Sequence, residues 1–177
     1  MKNQEGIELR DATLDESLRF DCLVNSRYHE DREAHYSRIH RFLMFFIVVS
    51  GAAAISQVLE SVPYAAETST AMAAVAGLID LVFGVSEKAK QHAMLRWRVL
   101  SILADLEAKE VDVQTLRHKL AAIFADEPPT MYTVQALAEN GAIRAMGMDQ
   151  RKLYKISAWR KALRHWIRFE VKMPDHA

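Results

Sequence analysis

Leu14, Leu18, Cys22, Asn25, Tyr28, Arg32, His35, Ile39 and Phe42 recur at steps of three and four, so they share one face of a continuous helix. Thr13 and Glu16 have the spacing of a capping box, in which a hydroxyl and a carboxylate satisfy orphan amides at a helix start. The pattern predicts a helix beginning near Leu14, behind a flexible polar lead at 1–12. No Gly or Pro interrupts it before Gly51.

Beyond Arg41 the amphipathic pattern gives way to a stretch that is apolar on every side. Phe42 to Leu59 contains no ionisable residue and approaches the length needed to cross a hydrocarbon core. A short loop with Pro63 and Tyr64 follows, and the chain is apolar again from Ser69 to Ser86, broken only by Asp80. Two apolar runs joined by a short loop predict a helical hairpin, with spans at about 42–59 and 69–86. Val85, Ala89, His92, Leu95, Val99, Ile102 and Leu106 keep the helical steps, so the second run is expected to continue as one helix to about Lys109. The unit 13–110 would then be two long antiparallel helices.

Residues 111–177 predict shorter helices. Asp112 is placed to cap a helix holding Leu116, Leu120, Ile123 and Phe124. That helix ends before Pro128 and Pro129, because proline disfavours the helical conformation in the residue ahead of it. A second runs from Met131 to about Met146, with Gly141 inside or kinking it. Asp149 is expected to cap a last helix reaching about Val171, with Leu153, Ile156, Trp159, Leu163, Trp166 and Ile167 on one face. Around the other lie Arg151, Lys152, Lys155, Arg160, Lys161, Arg164 and Arg168. The whole chain reads as all-α.

Charge sharpens this picture. Lys+Arg and Asp+Glu both total 23 over 177 residues, so the balance itself names no polyanionic partner. Its distribution is informative: Arg32, Arg38 and Arg41 precede the first run, Lys88, Lys90, Arg96 and Arg98 follow the second, and the loop carries Glu60 and Glu67 without a Lys or Arg. The positive-inside rule then puts both termini in the cytoplasm and the loop outside, a topology expected in the inner (cytoplasmic) membrane. The competing expectation is a soluble bundle or adaptor whose apolar hairpin is covered by protein. Met1 to Arg10 lacks the apolar core of a secretory signal, so no export of that end is expected. The one cysteine, Cys22, excludes an internal disulfide framework and fits a reducing compartment.

Several residues stand out as candidates. Ser50, Gly51, Ser56, Ala73, Gly77 and Gly84 are small residues in the apolar runs, of the kind that lets membrane helices approach closely within a hairpin or between copies. Asp80 would cost a few kcal/mol at membrane depth; it either lines a pore or hydrogen-bonds to Ser50 or Ser56 in a packing seam. Tyr28, Arg32, His35 and Tyr36 on the first helix, with His92 and Trp97 on the second, form an expected polar seam, either a ligand site or a hydrogen-bonded core. Trp159, Arg160, Lys161, Arg164 and Trp166 mark the last helix as a candidate for the inner membrane surface or for packing on the helical bundle. Nucleic acid is the weaker partner, since no recognition motif accompanies the cations.

No enzyme motif is visible. The chain has no Gly-rich phosphate loop, His-Glu-x-x-His or nucleophile elbow, and its seven histidines are scattered. His35 and His40 share a helical face poorly, and Glu30, Asp31 and Glu33 read as a solvated acidic face. Neither a metal nor a cofactor is expected.

The succession of Tyr28, Arg32 and Tyr36, two closely spaced apolar runs, Glu87 and His92 on a long helix, and an Ala-rich tail resembles the SLATT group of bacterial and phage two-pass proteins. The tail segments Glu127-Pro128-Pro129-Thr130, Ala136-Leu137-Ala138-Glu139-Asn140 and Ala145-Met146-Gly147 are similar to some members, and the likeness extends from about Leu14 to Val171. The resemblance implies an oligomeric, pore-forming effector that permeabilises the membrane in defence or conflict systems, beside nucleotide-signalling partner proteins. This chain shows no obvious nucleotide-sensing domain, so its trigger would come from a partner or bind the cytoplasmic helices.

Overall fold

The structure is a computed structural model that describes the backbone of residues 2–55 and 65–172, with side chains described for 13–52 and 68–172. Every regular element among the described residues is helical: α1 (Lys2–Ile55), α2 (Ala65–Phe83), α3 (Val85–Ala108), α4 (Val113–Ala125), α5 (Tyr132–Ala145), a 3-10 turn at Gln150–Lys152 and the short α6 (Ala158–Ala162). The chain divides into two compact units, one of residues 1–32 and 92–177 and the other of residues 33–91.

In the first unit, α1 presents two faces to two groups of helices. Leu18 and Cys22 pack with Leu95, Val99, Ile102 and Leu106 of α3 and with Leu116, Leu120 and Ile123 of α4. Val24 and Tyr28 pack with Met131, the residue ahead of α5, and with Val134, Ala138 and Ala142 on that helix. Leu18, Cys22 and Tyr28, with the α3 and α4 residues, are positions that the three-and-four spacing picks out; Val24 and the residues around α5 lie outside that series, and the wider stripe they make suits a helix with neighbours on several sides. Burial, with the Asp21 carboxylate beside it, pushes the Cys22 thiol up to about 12, so this cysteine is a packing residue rather than a nucleophile.

Local chemistry sets the boundaries of the shorter helices. The Asp112 carboxylate accepts from the Thr115 N–H at 3.1 Å and caps α4. Lys109 closes the turn after α3 at φ 55° and donates its N–H to the Leu106 carbonyl. At the start of α5, the buried Tyr28 hydroxyl accepts the Met131 N–H at 3.1 Å. Gly141 lies inside α5 without ending it. A Cβ there would stand 2.9 Å from Nη1 of Arg27, so glycine admits the guanidinium against the helix.

Three sequence expectations are corrected. α1 begins at Lys2, so Thr13 and Glu16 lie within the helix; the Leu, Glu, Lys and Arg of the lead favour helix strongly enough to carry it past that spacing. The helix from the second apolar run breaks at Gly84, whose φ of +56° is a left-handed conformation that glycine adopts without steric cost. α2 and α3 therefore meet at 43° instead of forming one rod. The basic tail is also not one helix to Val171. Asp149 caps only the 3-10 turn, accepting from the Arg151 N–H at 2.9 Å. Asn140 then binds the backbone of Tyr154 on both sides, Oδ1 accepting the N–H at 2.7 Å and Nδ2 donating to the carbonyl at 2.9 Å. Those backbone groups are thereby withdrawn from helix, and α6 starts only at Ala158.

Candidate functional site

The second unit is built on the later part of α1 and on α2. His40 Nδ1 lies 3.3 Å from Asp80 Oδ1. Leu43 and Phe46 of α1 line an open groove with Met72, Val75, Ala76 and Ile79 of α2, about 420 Å³ in volume. As the numbering rises on one helix it falls on the other, so the two run antiparallel. The apolar segment of α1 begins just after Arg41 and that of α2 ends at Phe83, and the His40–Asp80 contact puts those two edges at one level.

Few of these apolar side chains are covered. Phe42, Phe45, Val48, Met72, Val75, Leu78, Val82 and Phe83 are exposed, and Leu81 reaches 81%. A contiguous apolar surface of this extent, free of charge between Phe42 and Ala52 on α1, is unusual for a monomer in water and marks a surface made to be covered. Among the described residues no single helix is long and apolar enough to cross a membrane, though the bent pair Thr68–Phe83 and Val85–Ala108 passes by length and composition together.

Asp80 is placed at the break between α2 and α3. Its Oδ1 accepts the Ser86 N–H at 3.1 Å, its Oδ2 accepts the Ser86 hydroxyl at 3.2 Å, and His40 completes the set. The carboxylate thus caps the start of α3 across the left-handed Gly84. Its partners are Ser86 and His40 rather than Ser50; Ser56 lies outside the described residues, as do the end of the first apolar run and the loop through Tyr64. Ser50 is buried and Ala73 half-buried. A Cβ at Gly51 or Gly77 would meet nothing within 4 Å among the described residues, so neither glycine is needed there for close packing.

The expected polar seam divides between the units. Tyr28, Arg32 and His92 lie in the first, where burial joins them to His29, Glu127 and His165. His29 Nδ1 is 3.0 Å from His92 Nδ1, and His29 Nε2 is 3.2 Å from Glu127 Oε1. A carboxylate only accepts, so His29 donates from Nε2. The Nδ1–Nδ1 bond then carries one proton, on His92 when His29 is neutral and on His29 when it is protonated. Burial, followed by the fields of His29, Arg32 and His165, pushes His92 down to about 3. Arg32 donates to the His165 carbonyl at 3.2 Å and lies 3.3 Å from its Nδ1. His35 and Tyr36 belong to the second unit, where their rings meet edge to face at 5.6 Å and Lys88 sits over Tyr36. Trp97 is 70% exposed and stands outside any buried seam.

The basic tail is likewise rearranged. Arg164 forms a two-pronged pair with Asp31, at 2.8 and 2.9 Å, and the hydrogen-bonded carboxylate raises its guanidinium above the usual range. Arg164 is thus held by protein, and Asp31 belongs to an ion pair rather than a purely solvated acidic face. Arg160 stacks over Trp159 and Phe169 and donates to the Glu170 carbonyl. Lys161, Trp159 and Trp166 remain exposed.

Helical spacing picks out Arg32 and His92, and Asp80 stands out as the charge in the second apolar run, but nothing in the sequence singles out His29, His165 or Glu127, and His40 enters only as a poor facial match for His35. His29 does follow Tyr28 on the buried face; the others are brought in by tertiary packing, which spacing does not encode. Among the described residues no group of three or more His, Cys, Asp or Glu is placed to hold a metal ion. No protein-family model, curated protein or solved structure matches the chain.

Proposed function

We propose that this chain is a two-pass membrane protein of the inner membrane, both ends cytoplasmic, whose hairpins assemble into a homo-oligomeric pore. The observation that carries the reading is the uncovered apolar surface of α1 and α2, which starts and stops at one level on the two helices. Arg38 and Arg41 adjoin Phe42 and Phe45 at that edge, as expected where a cationic collar meets lipid headgroups. Gly51 and Gly77, open on the hairpin surface, offer places for another copy to approach. Lys161, Trp159 and Trp166 suit the inner membrane surface. Acting by permeabilisation rather than catalysis, such an oligomer is the effector that the resemblance to the SLATT group implies, with a nucleotide-signalling partner protein as its source of activation.

In this proposal Asp80 holds the α2–α3 bend at the cytoplasmic edge instead of lining the conducting path. The test is dye release from anionic liposomes carrying the full chain, with Asp80→Asn beside it. The proposal expects release by the parent protein, and conductance of assembled Asp80→Asn with unaltered ion preference. An inserted oligomer that releases no dye under any trigger contradicts the pore, and a changed ion preference returns Asp80 to the conducting path.

A second reading, a soluble all-helical adaptor whose hairpin is covered by a protein partner, is favoured by one observation: no single described helix is long and apolar enough to span. It predicts a chain that stays with a soluble partner after cell fractionation and leaves liposomes intact.

A further inference from the structure

Where the apolar stretch of α1 begins, Arg38, Arg41, Phe42 and Phe45 line an open cavity of about 420 Å³. The four stand at steps of three and four, so they share one face of the helix over about 10 Å of its length. His40, bonded to Asp80, and Leu43, on the groove against α2, lie about half a turn round the helix from that face. α2 therefore leaves the cavity uncovered, and Phe42 and Phe45 are 61% and 60% exposed.

The lining is cationic at one end and aromatic at the other. No carboxylate contributes to it, and no Asp or Glu follows Glu33 on α1. Inside the chain Arg41 donates from Nε to the Ser37 carbonyl at 3.3 Å, a bond that leaves both Nη groups of its fork for an acceptor from outside.

We propose that this cavity binds one anionic phospholipid, its phosphodiester between Arg38 and Arg41 and an acyl chain along Phe42 and Phe45; the proposal rests on the membrane reading above. Two guanidiniums three residues apart offer planar forks of donors that match phosphate oxygens. A choline headgroup would bring a further cation to a lining without a carboxylate to receive it. A water-soluble phosphate would satisfy the arginines and leave both phenylalanines in water, whereas an acyl chain removes that apolar area from it. Gly51, offered above as an approach for another copy, lies about a third of a turn round α1 from the cavity, so lipid and copy occupy different faces.

Two measurements on the full chain test the site. Flotation with dioleoyl-phosphatidylcholine liposomes reads insertion, and native mass spectrometry from maltoside micelles counts retained dioleoyl-phosphatidylglycerol or dioleoyl-phosphatidylcholine. The parent is expected to float and to retain phosphatidylglycerol in preference to phosphatidylcholine. The Arg38→Gln, Arg41→Gln double variant should still float while its affinity for phosphatidylglycerol falls about thirtyfold, about fivefold for each arginine. The Lys152→Gln, Lys155→Gln pair removes the same charge from exposed positions elsewhere and should leave that affinity unchanged. Should the arginine pair fail to insert, Arg38→Gln alone decides: a loss of about fivefold supports the site, and an unchanged affinity overturns it. Equal retention of the two lipids, equal losses in the arginine and lysine pairs, or an oligomer that falls apart in the arginine pair with its lipid count unchanged also overturns it. A parent that stays out of the liposomes removes the membrane hairpin and this site together; one that inserts without a headgroup preference removes the site alone.

Discussion

Tyr28 shows how one side chain can set the start of an element. α5 opens at Met131 without a side-chain cap of its own, and the Tyr28 hydroxyl takes the Met131 N–H instead. Tyr28→Phe keeps the ring and removes only the acceptor, leaving a buried donor unmatched. The expected loss is about 1–3 kcal/mol, read as a lower midpoint in chemical denaturation with an unchanged slope. His92 supplies a pH dependence. Its folded value, pushed down to about 3 mainly by burial, lies below its ordinary value near 6.5, so the unfolded chain takes up the proton first. Stability from this group is full above about 6.5 and declines as pH falls towards about 3. Thermal midpoints across that window should fall on acidification in the parent and fall less steeply in His92→Gln. Equal slopes would remove His92 from the acid sensitivity. The sequence exposes Tyr28 and His92 through their helical spacing, but does not show that His29 and Glu127 join them, because those contacts depend on how α1 and α3 pack with the connection between α4 and α5.

At the scale of elements, helices are where the sequence was most legible, and their interruptions least. Asp112 advertised the start of α4 and Pro128 the limit after it, because both act on their immediate neighbours. Gly84 looked like one more small residue in an apolar helix; its left-handed turn becomes readable only with Asp80 reaching six residues along the chain to Ser86. Replacing Gly84 by Ala puts a Cβ at φ +56°, which should cost about 1–2 kcal/mol in a retained bend or drive α2 and α3 towards one continuous helix. Spin labels on either side of residue 84 distinguish a kept 43° bend from a straightened rod, and a variant with both the parent stability and the parent distances would show that glycine is dispensable there. The tail misled for a related reason. Leu153, Ile156, Trp159 and Leu163 have helical spacing, but Asn140 satisfies both backbone groups of Tyr154 in a non-helical conformation. Asn140→Ala is expected to speed amide hydrogen exchange around residue 154 while α4 stays protected; unchanged exchange there would mean that the clamp does not hold the segment.

For the molecule as a whole, composition and hydropathy gave the all-helical class and the two apolar runs, and α1 and α2 retain that apolar surface uncovered. What neither sequence spacing nor a lone chain supplies is the medium that covers it. A bilayer makes one sharp demand: an acidic residue in the middle of the band should be tolerated poorly, since a charged side chain at that depth costs about 2.5–3.5 kcal/mol. Val48→Asp and Leu81→Asp lie on the two helices at exposed positions, where a soluble monomer would accept them readily. The most direct measurement is flotation of the full chain with liposomes after washing in alkaline carbonate, for the parent and for the Val48→Asp, Leu81→Asp double variant. The parent should rise with the lipid and the double variant should stay at the bottom of the gradient, still helical. A parent chain left behind as a detergent-free soluble monomer would contradict the membrane hairpin.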